Sequence, residues 1–469
     1  MRAGLPLAAP HPIGFEDRPE GEIVVDAGLV KLAADAYVYG FPIVFDLDQV
    51  RRFVTTGIGS NPAAAFNTFG HARELASPSD TFVSINNDTV YSIAQVDLSV
   101  GPVLLSVPDS AERYYVLQFV DAWTNNFAYA GKRATGTGAS DFLLLPPDWQ
   151  GEGIADATAI RFPTRIATIV GRWACDGVDD LPAVHALQDA LTLTPLRRSL
   201  VPPTGLPDLA EGLGEALSFY EKLRLYSREF PPAPRDEPLQ ASFAPLGLAG
   251  DASLADADAD MKAALEAGYA QGKAALEQLI HLGSSPVTNG WSLTYHLFDY
   301  NLDFFEVGTI DAPEWKTADP QVRIAERAVA AIAGLWGNHG YEAAYAITYL
   351  DSEGEQLDGT NAYTLRLSPP PPVGAFWSLT MYSIPDFYLV ANEIDRFSLG
   401  DRTPGILFDD DGGLTITISH AKPSDATAVA NWLPAPHAPF RPILRMYAPD
   451  DAVFDGSYVL PAIERSTST

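Results

Sequence analysis

The sequence is poor in several residue types that common enzyme classes require. It has one cysteine in 469 residues, so Cys175 can form no internal disulfide, and a cysteine-ligated metal site is excluded. Its eight histidines are scattered, none within five positions of another, which excludes the close His-Glu-x-x-His spacing of many zinc enzymes. No apolar run approaches the ~18–20 residues that span a bilayer. The sequence therefore predicts no cofactor and no locally encoded metal site.

Basic residues are also scarce, with 30 Lys and Arg against 60 Asp and Glu, which gives a formal charge of −30. Such a field repels phosphate backbones and anionic lipid heads. We therefore expect neither a nucleic acid nor a membrane surface as a partner. The apolar stretch within Met1–Leu7 is too short to predict a signal peptide, so a cytoplasmic protein is expected.

The length favours several domains, because single hydrophobic cores stop growing near ~250–300 residues. Residues 27–52 have a helical period that Gly40-Phe41-Pro42 is expected to interrupt. From about Phe66 short apolar runs alternate with turn residues, which predicts an antiparallel β module. Its predicted strands are Thr89–Val96, Val103–Val107, Tyr114–Phe119, Phe142–Leu145 and Ile166–Val170.

The centre of the chain has apolar residues three to four apart and predicts helices. These helices are Leu181–Leu191, Leu209–Phe230, Met261–Leu282 and Val322–Leu335. The β pattern resumes at Tyr345, with hairpin turns predicted at Asp351–Gly354 and Asp409–Gly412. The predicted organisation is a helical lead-in over 1–65, a β-sandwich module over 66–175, a helical middle over 176–340 and a second β module over 341–469.

Polar side chains interrupt two apolar β segments of the first module. Asn87, Asp88 and Tyr91 lie in one segment, and Gln118 and Asp121 lie in the other. Strand alternation places Gln118 and Asp121 on opposite faces, and burying either is costly unless it is paired. The two aspartates are candidate general bases. The alternative is that each accepts backbone N–H bonds at a turn.

The second β module has a comparable set of aromatic and basic residues. An arginine beside Trp and Tyr can hold a polar ligand against an aromatic wall. The alternative for the arginines is an ion pair with a local acid such as Asp395 or Asp450. The candidates are Trp377, Tyr382, Arg396 and Arg445.

These segments resemble a bacterial family that pairs domain of unknown function 1254 with domain of unknown function 1214, over about residues 30–465. The first half matches through Ala36-Tyr37-x-Tyr39-Gly40-Phe41-Pro42, Asn87-Asp88-Thr89-x-Tyr91-Ser92, Arg113-Tyr114-Tyr115 with Gln118 and Asp121, and Pro147-x-Trp149-x-Gly151. The second half matches through Phe376-Trp377-Ser378-x-Thr380-Met381-Tyr382, Asn392 with Arg396, and Asn431-Trp432-Leu433-Pro434 with Arg445-x-Tyr447. The resemblance implies a mainly β fold, with an N-terminal β-sandwich, a small α domain and a C-terminal jelly-roll-like β domain. It implies no settled activity.

The candidate residues favour an enzyme without a redox cofactor, namely a hydrolase, lyase or isomerase acting on a small polar or aromatic metabolite. Asp88 or Asp121 would be the general base, and Tyr91 or Tyr382 the proton donor. Substrate-binding candidates are Asn87, Gln118, Trp377, Tyr382 and Arg396. A non-catalytic small-molecule or sugar-binding protein, and a metal-dependent enzyme using distant histidines, remain open alternatives. A homo-oligomer also remains open.

Overall fold

The computed structural model describes residues 25–80, 84–196, 202–209, 211–282 and 285–466. The described residues form two β domains with a helical domain between them in the chain, so the predicted fold class is confirmed. The helices are α1 Ala27–Thr56, α2 Leu181–Ala190, α3 Glu215–Glu229, α4 Glu237–Ser242, α5 Ala259–Leu282, α6 Pro320–Gly334 and α7 Ala426–Ala430.

The first β domain is built from two sheets. One sheet has the strand order β1-β2-β8-β4-β5, and the other has the order β7-β6-β3-β9. Apolar side chains from both sheets form one core. β9 pairs with β3, so this domain includes residues beyond position 175. The strands are β1 Phe69–His71, β2 Thr89–Asp97, β3 Val103–Val107, β4 Tyr115–Asp121, β5 Asn126–Gly131, β6 Ser140–Leu145, β7 Thr158–Arg161, β8 Ile166–Ala174 and β9 Thr192–Pro195.

Helix α1 belongs to the helical domain, and it continues through Pro42 without interruption. The predicted break at Gly40-Phe41-Pro42 is therefore wrong. Pro42 lacks an N–H and weakens the helix locally, but tertiary packing outweighs this loss. The missing side chain of Gly40 lets Leu223 of α3 pack against the backbone, since an added Cβ would lie 2.4 Å from Leu223 Cδ2.

Close packing of α1 on α5 also depends on glycine. A Cβ added at Gly268 would lie 2.3 Å from the Ala33 side chain, and one at Gly272 would lie 2.6 Å from Tyr37. By length and composition α1 could cross a membrane, but 56% of its apolar window is buried inside the protein. A core helix of a soluble protein passes the same test, so α1 is weak evidence for a membrane span.

The second β domain also consists of two sheets. One has the order β10-β11-β12-β18-β14-β15, and the other has the order β17-β16-β13-β19. Turns are present at Asp351–Gly354 and Asp409–Gly412, with Gly354 and Gly412 at positive φ. Neither is the predicted strand-to-strand hairpin, because the named strands before and after each turn pair with other strands. The strands are β10 Val287–Thr288, β11 Trp291–Leu293, β12 Ala343–Thr348, β13 Tyr363–Leu367, β14 Val373–Ser383, β15 Ser398–Gly400, β16 Leu414–Ser419, β17 Trp432–Pro434, β18 Phe440–Pro449 and β19 Glu464–Arg465.

Strands β14 and β18 join the interior of the second domain to its contact with the first. Successive side chains of a strand point to opposite faces. Trp377, Leu379 and Met381 of β14 therefore enter the domain core, while Phe376 and Tyr382 face the first β domain. The interface between the two β domains is thus formed by the outward faces of two sheets.

Candidate interdomain site

A cluster of charged and phenolic side chains lies where the two β domains meet. Each facing sheet contributes one Tyr–Arg pair from neighbouring strands. Tyr91 on β2 lies opposite Arg172 on β8, and Tyr345 on β12 lies opposite Arg445 on β18. We call the following residues the interdomain cluster: Asp88, Tyr91, Arg172, Asn338, Tyr345, Ser378, Arg445 and Tyr447.

Asp88 connects the two domains through hydroxyl groups. Its Oδ2 accepts hydrogen bonds from Ser378 Oγ at 2.7 Å and from Tyr447 Oη at 3.1 Å. Among the described residues none donates a hydrogen bond to Asp88 Oδ1. Burial, together with the charge of Asp88, raises the pKa of Tyr447 well above its ordinary value, so the phenol stays protonated and can donate.

The short segment before β2 is held by the second domain. Arg445 donates to the Ser84 carbonyl at 2.9 Å, and Tyr382 Oη donates to the Ile85 carbonyl at 2.6 Å. The Asn86 side chain donates to Tyr447 Oη at 2.8 Å. These contacts fix Asp88 relative to β14 and β18, so the carboxylate is positioned by both domains.

Arg172 and Arg445 are buried, yet in the described part of the chain neither forms an ion pair with a carboxylate. Arg172 donates to neutral acceptors, including Gln118 Oε1 at 2.8 Å and the Trp336 carbonyl at 2.7 Å. Arg445 donates to Thr380 Oγ1 at 3.1 Å and to a backbone carbonyl. Buried charges are normally paired with an opposite charge, so two buried guanidinium groups that lack a carboxylate partner need an explanation.

Space accessible to water remains beside this cluster. Tyr91 and Tyr345 are half-buried, although they face the opposite domain. Burial raises the pKa of Tyr345, and its hydroxyl lies in the field of Arg172, Tyr91, Arg445 and Asp88. Tyr345 is therefore close to charged groups from both facing sheets.

The two aspartates predicted as bases lie at opposite ends of the same sheet. Asp121 lies opposite Ala167 of β8, and Thr89, next to Asp88, lies opposite Ala174. Seven residues of strand separate these positions by about 23 Å. Asp121 Oδ1 accepts backbone N–H bonds at a turn, as its structural alternative predicts, whereas the Asp88 carboxylate binds side chains of the other domain.

The remaining predicted residues divide between the interdomain cluster and the structural framework. Gln118 accepts from Arg172, Tyr382 anchors the Ile85 carbonyl, and Asn87 donates to the Ala76 carbonyl at 2.5 Å. Trp377 lies in the core of the second domain. Arg396 donates to three carbonyls at the end of α7, without contact to the cluster and without the predicted alternative bridge to Asp395.

Sequence reasoning missed three residues of the cluster as candidates: Arg172, Asn338 and Tyr345. Ser378 and Tyr447 entered it only as parts of family motifs. Arg172 lies three positions before Cys175, whose buried thiol has its pKa raised to about 11 by burial. A usable signal was that Arg172 is the one charged residue of strand β8, Ile166–Ala174. Asn338 lies in the turn between α6 and β12, and no strand or helix period marks it.

A serine–histidine pair also occurs, within the first β domain. Ser92 Oγ lies 2.8 Å from His71 Nδ1 and accepts from Trp173 Nε1 at 3.0 Å. Burial lowers the pKa of His71 to about 4. Ser92 is fully buried and has no room for a substrate, so the pair is structural. Among the described residues no group of three His, Cys, Asp or Glu side chains could hold a metal ion.

An open cleft of about 500 Å³ adjoins the interdomain cluster. Tyr114 and Phe376 line it, and both contact the ring of Tyr447, with Phe376 stacked on it at 4.2 Å between ring centroids. Arg402 stacks on Phe376 and donates to the Asp88 carbonyl at 3.2 Å. Three aromatic rings therefore separate the cleft from the Asp88 carboxylate.

Comparison with known proteins agrees with this two-part architecture. The family model for a protein of unknown function, DUF1254, matches residues 66–195, and the model for a protein of unknown function, DUF1214, matches residues 342–451. The chain belongs to the family that pairs these two domains. The two matched segments thus cover most of the two β domains that enclose the interdomain cluster.

Two solved structures also resemble the chain. The VPA0106 protein of Vibrio parahaemolyticus is 24% identical, covers 94% of this chain and all of its own length, and has a TM-score of 0.73. At that identity it supports the fold alone. An uncharacterised protein from Burkholderia cenocepacia is 11% identical and covers 94% of this chain and 95% of its own, but its TM-score of 0.42 carries no argument. No curated protein matches the chain.

Proposed function

We propose that the chain is an enzyme without a redox cofactor, which performs acid–base chemistry on a small molecule bound at the interdomain cluster. One observation carries this proposal. The buried Asp88 carboxylate binds the hydroxyls of Ser378 and Tyr447 through one oxygen, while its other oxygen accepts no hydrogen bond from the described residues. A carboxylate in this arrangement has one oxygen to offer a ligand.

The proposed roles follow from this geometry. Asp88 Oδ1 accepts a proton from the substrate, and the hydroxyl of Tyr91 donates one. Ser378 and Tyr447 stabilise the negative charge of the Asp88 carboxylate before it accepts the proton. This chemistry suits a hydrolase, lyase or isomerase, and the accessible Tyr91 and Tyr345 rings suit a polar or aromatic metabolite.

A non-catalytic binding protein is the second candidate. The hydrogen bonds to Asp88 Oδ2 favour it, because they suit a carboxylate that links the two domains and transfers no proton. Two hydroxyl groups of the protein already satisfy that oxygen, as in a structural link between domains. A binding protein returns its ligand unchanged, whereas the proposed enzyme alters it or exchanges its protons.

The test is turnover of a metabolite library in D2O, followed by mass spectrometry. An isomerase or lyase introduces deuterium, and a hydrolase produces new masses. We expect Asp88→Asn to lower the rate of any conversion by about 10²-fold or more. The matched control is Asp121→Asn, which changes a buried carboxylate at the far end of the same sheet. Full turnover in folded Asp88→Asn contradicts the proposal.

The remaining expectations form part of the same proposal. The charge of −30 supports a protein that avoids nucleic acids and acidic membrane surfaces. A cytoplasmic location, a bacterial source, a jelly-roll-like second β domain and a small-molecule partner complete it. The two Tyr–Arg pairs at the domain interface support a small-molecule partner, because ligand sites are common between domains.

A further inference from the structure

We infer that the interdomain cluster binds a monoanionic carboxylate, so that the substrate is a small carboxylic acid held by Arg172 and Arg445. This inference rests on the proposed function, because it names the substrate class of the same site. Its first support is the contrast with two buried arginines of the helical domain. Arg224 pairs with Glu221, and Arg323 pairs with Asp236.

A second observation points to a missing acceptor at the same place. Asn338 is 1% exposed, and its Oδ1 accepts from Arg172 at 3.3 Å. Its Nδ2 finds no acceptor among the described residues. The hydroxyl of Tyr345 likewise makes no hydrogen bond within the described chain. Asn338 contacts Arg172, and Tyr345 lies in the field of both arginines, so two guanidinium groups, an amide and a phenol lie near one another. Donors of these types recognise an oxyanion.

The charge balance selects the type of oxyanion. The charged groups acting on Tyr345 are Arg172 and Arg445, each positive, and Asp88, which is negative. Their sum is one positive charge, which a carboxylate neutralises. A phosphate dianion would leave an excess negative charge beside Asp88, where burial makes it costly. The planar arginine fork also matches a carboxylate in shape.

The experiment uses acetate, the smallest probe that any carboxylate site should accept. Thermal unfolding of the full-length protein is followed in sodium acetate, acetamide, inorganic phosphate and sodium chloride at matched ionic strength. We expect acetate to raise the Tm saturably, and acetamide, its neutral counterpart, to leave the Tm unchanged. An acetate effect equal to that of chloride, an equal effect of acetamide, or a stronger effect of phosphate overturns the inference.

Variants separate this inference from the proposed catalysis. Arg172→Met should weaken apparent acetate affinity by at least about tenfold, whereas Asp88→Asn should strengthen it, because it removes the neighbouring negative charge. Full loss of turnover in Asp88→Asn, without an acetate effect in the parent, would refute the inference and leave the acid–base proposal standing. The reverse result would leave a carboxylate-binding protein that is not an enzyme.

Asn338→Asp keeps the test decisive if Arg172→Met does not fold. The new carboxylate would occupy the place of the unpaired amide beside Arg172, so the unliganded protein should gain Tm and lose its response to acetate. Asn431→Asp is the matched control, because Asn431 Nδ2 already donates to the Leu407 and Thr415 carbonyls. That variant should lose Tm and keep its acetate response. A lower Tm in Asn338→Asp with an unchanged acetate response overturns the inference.

Discussion

Two regions of the molecule bury arginines, and they treat the charge differently. In the helical domain, Arg323 donates two bonds to Asp236, at 2.5 and 2.9 Å, and both side chains are 5% exposed. Between the β domains, Arg172 and Arg445 are as deeply buried but bind only neutral acceptors within the described chain. In the first arrangement the guanidinium charge is paired with a carboxylate, whereas in the second it meets none among the described residues.

The comparison distinguishes an arginine whose charge is paired within the protein from one that is available to a ligand. Burial alone would raise the pKa of Asp236, but the hydrogen bonds and charge of Arg323 hold it below its ordinary value. Each partner therefore compensates the other. Where such a partner is missing and a half-buried tyrosine adjoins the arginine, an external anion is the simplest compensation.

Breaking the ion pair between Arg323 and Asp236 should have the largest effect. Arg323→Met leaves Asp236 buried without its main partner, so we expect the free energy of unfolding to fall by about 3–5 kcal/mol. Urea denaturation at pH 7 measures this loss. A loss below about 1 kcal/mol would mean that the two regions do not differ as the structure implies.

His339, which lies beside Asn338, should make stability depend on pH. Burial lowers its pKa to about 3, so between about pH 3 and 6.5 the unfolded chain binds more protons than the native protein. Stability should therefore fall as pH decreases through that window, by ~2 kcal/mol between pH 6.5 and 5. Asp121, whose pKa burial raises to about 6, acts in the opposite direction.

Replacing His339 with asparagine isolates this contribution. His339→Asn keeps an acceptor for the hydroxyls of Tyr129 and Tyr341, which both lie close to His339 Nδ1, but it cannot be protonated. Urea denaturation from pH 7 to pH 4.5 should give a flatter pH dependence than the parent. An unchanged slope would assign the acid sensitivity to other groups.

Tyr382→Phe should have a smaller effect, because it removes one hydrogen bond at the edge of the cluster. The Ile85 carbonyl would lose its 2.6 Å partner, at a cost of about 1 kcal/mol. Thermal unfolding measures this change. A loss of several kcal/mol would show that the segment before β2 is more than locally anchored by the second domain.

Removing the arginine that has no acid should have the smallest effect. Arg172→Met gives up hydrogen bonds to neutral acceptors but also removes a buried charge that the described residues leave unpaired, so we expect a change within about 1 kcal/mol. Urea denaturation beside Arg323→Met makes the comparison direct. Equal losses in the two variants would show that Arg172 is structural.

The sequence predicted the repeating parts of this protein better than its interface. Strand alternation predicts that Gln118 points away from the face of its neighbours Leu117 and Phe119, and in the structure only those two neighbours enter the domain core, because period two follows from backbone geometry. It could not show that Asp88 meets Ser378 and Tyr447, since those contacts depend on how two separately folded sheets pack. Local signals also missed the continuity of α1 through Pro42, where packing against α3 decides.

The contacts of Asp88 have a consequence for the order in which the molecule is made. The bonds from Asp88 to Ser378 and Tyr447 join residues 290 and 359 positions apart. Long-range contacts of this kind close late in folding, since loop closure must come first. During synthesis on the ribosome, Asp88 can contact both partners only after nearly the whole chain has been made. A chain shortened before β18 would therefore keep the strands of the first domain but never complete the interdomain cluster.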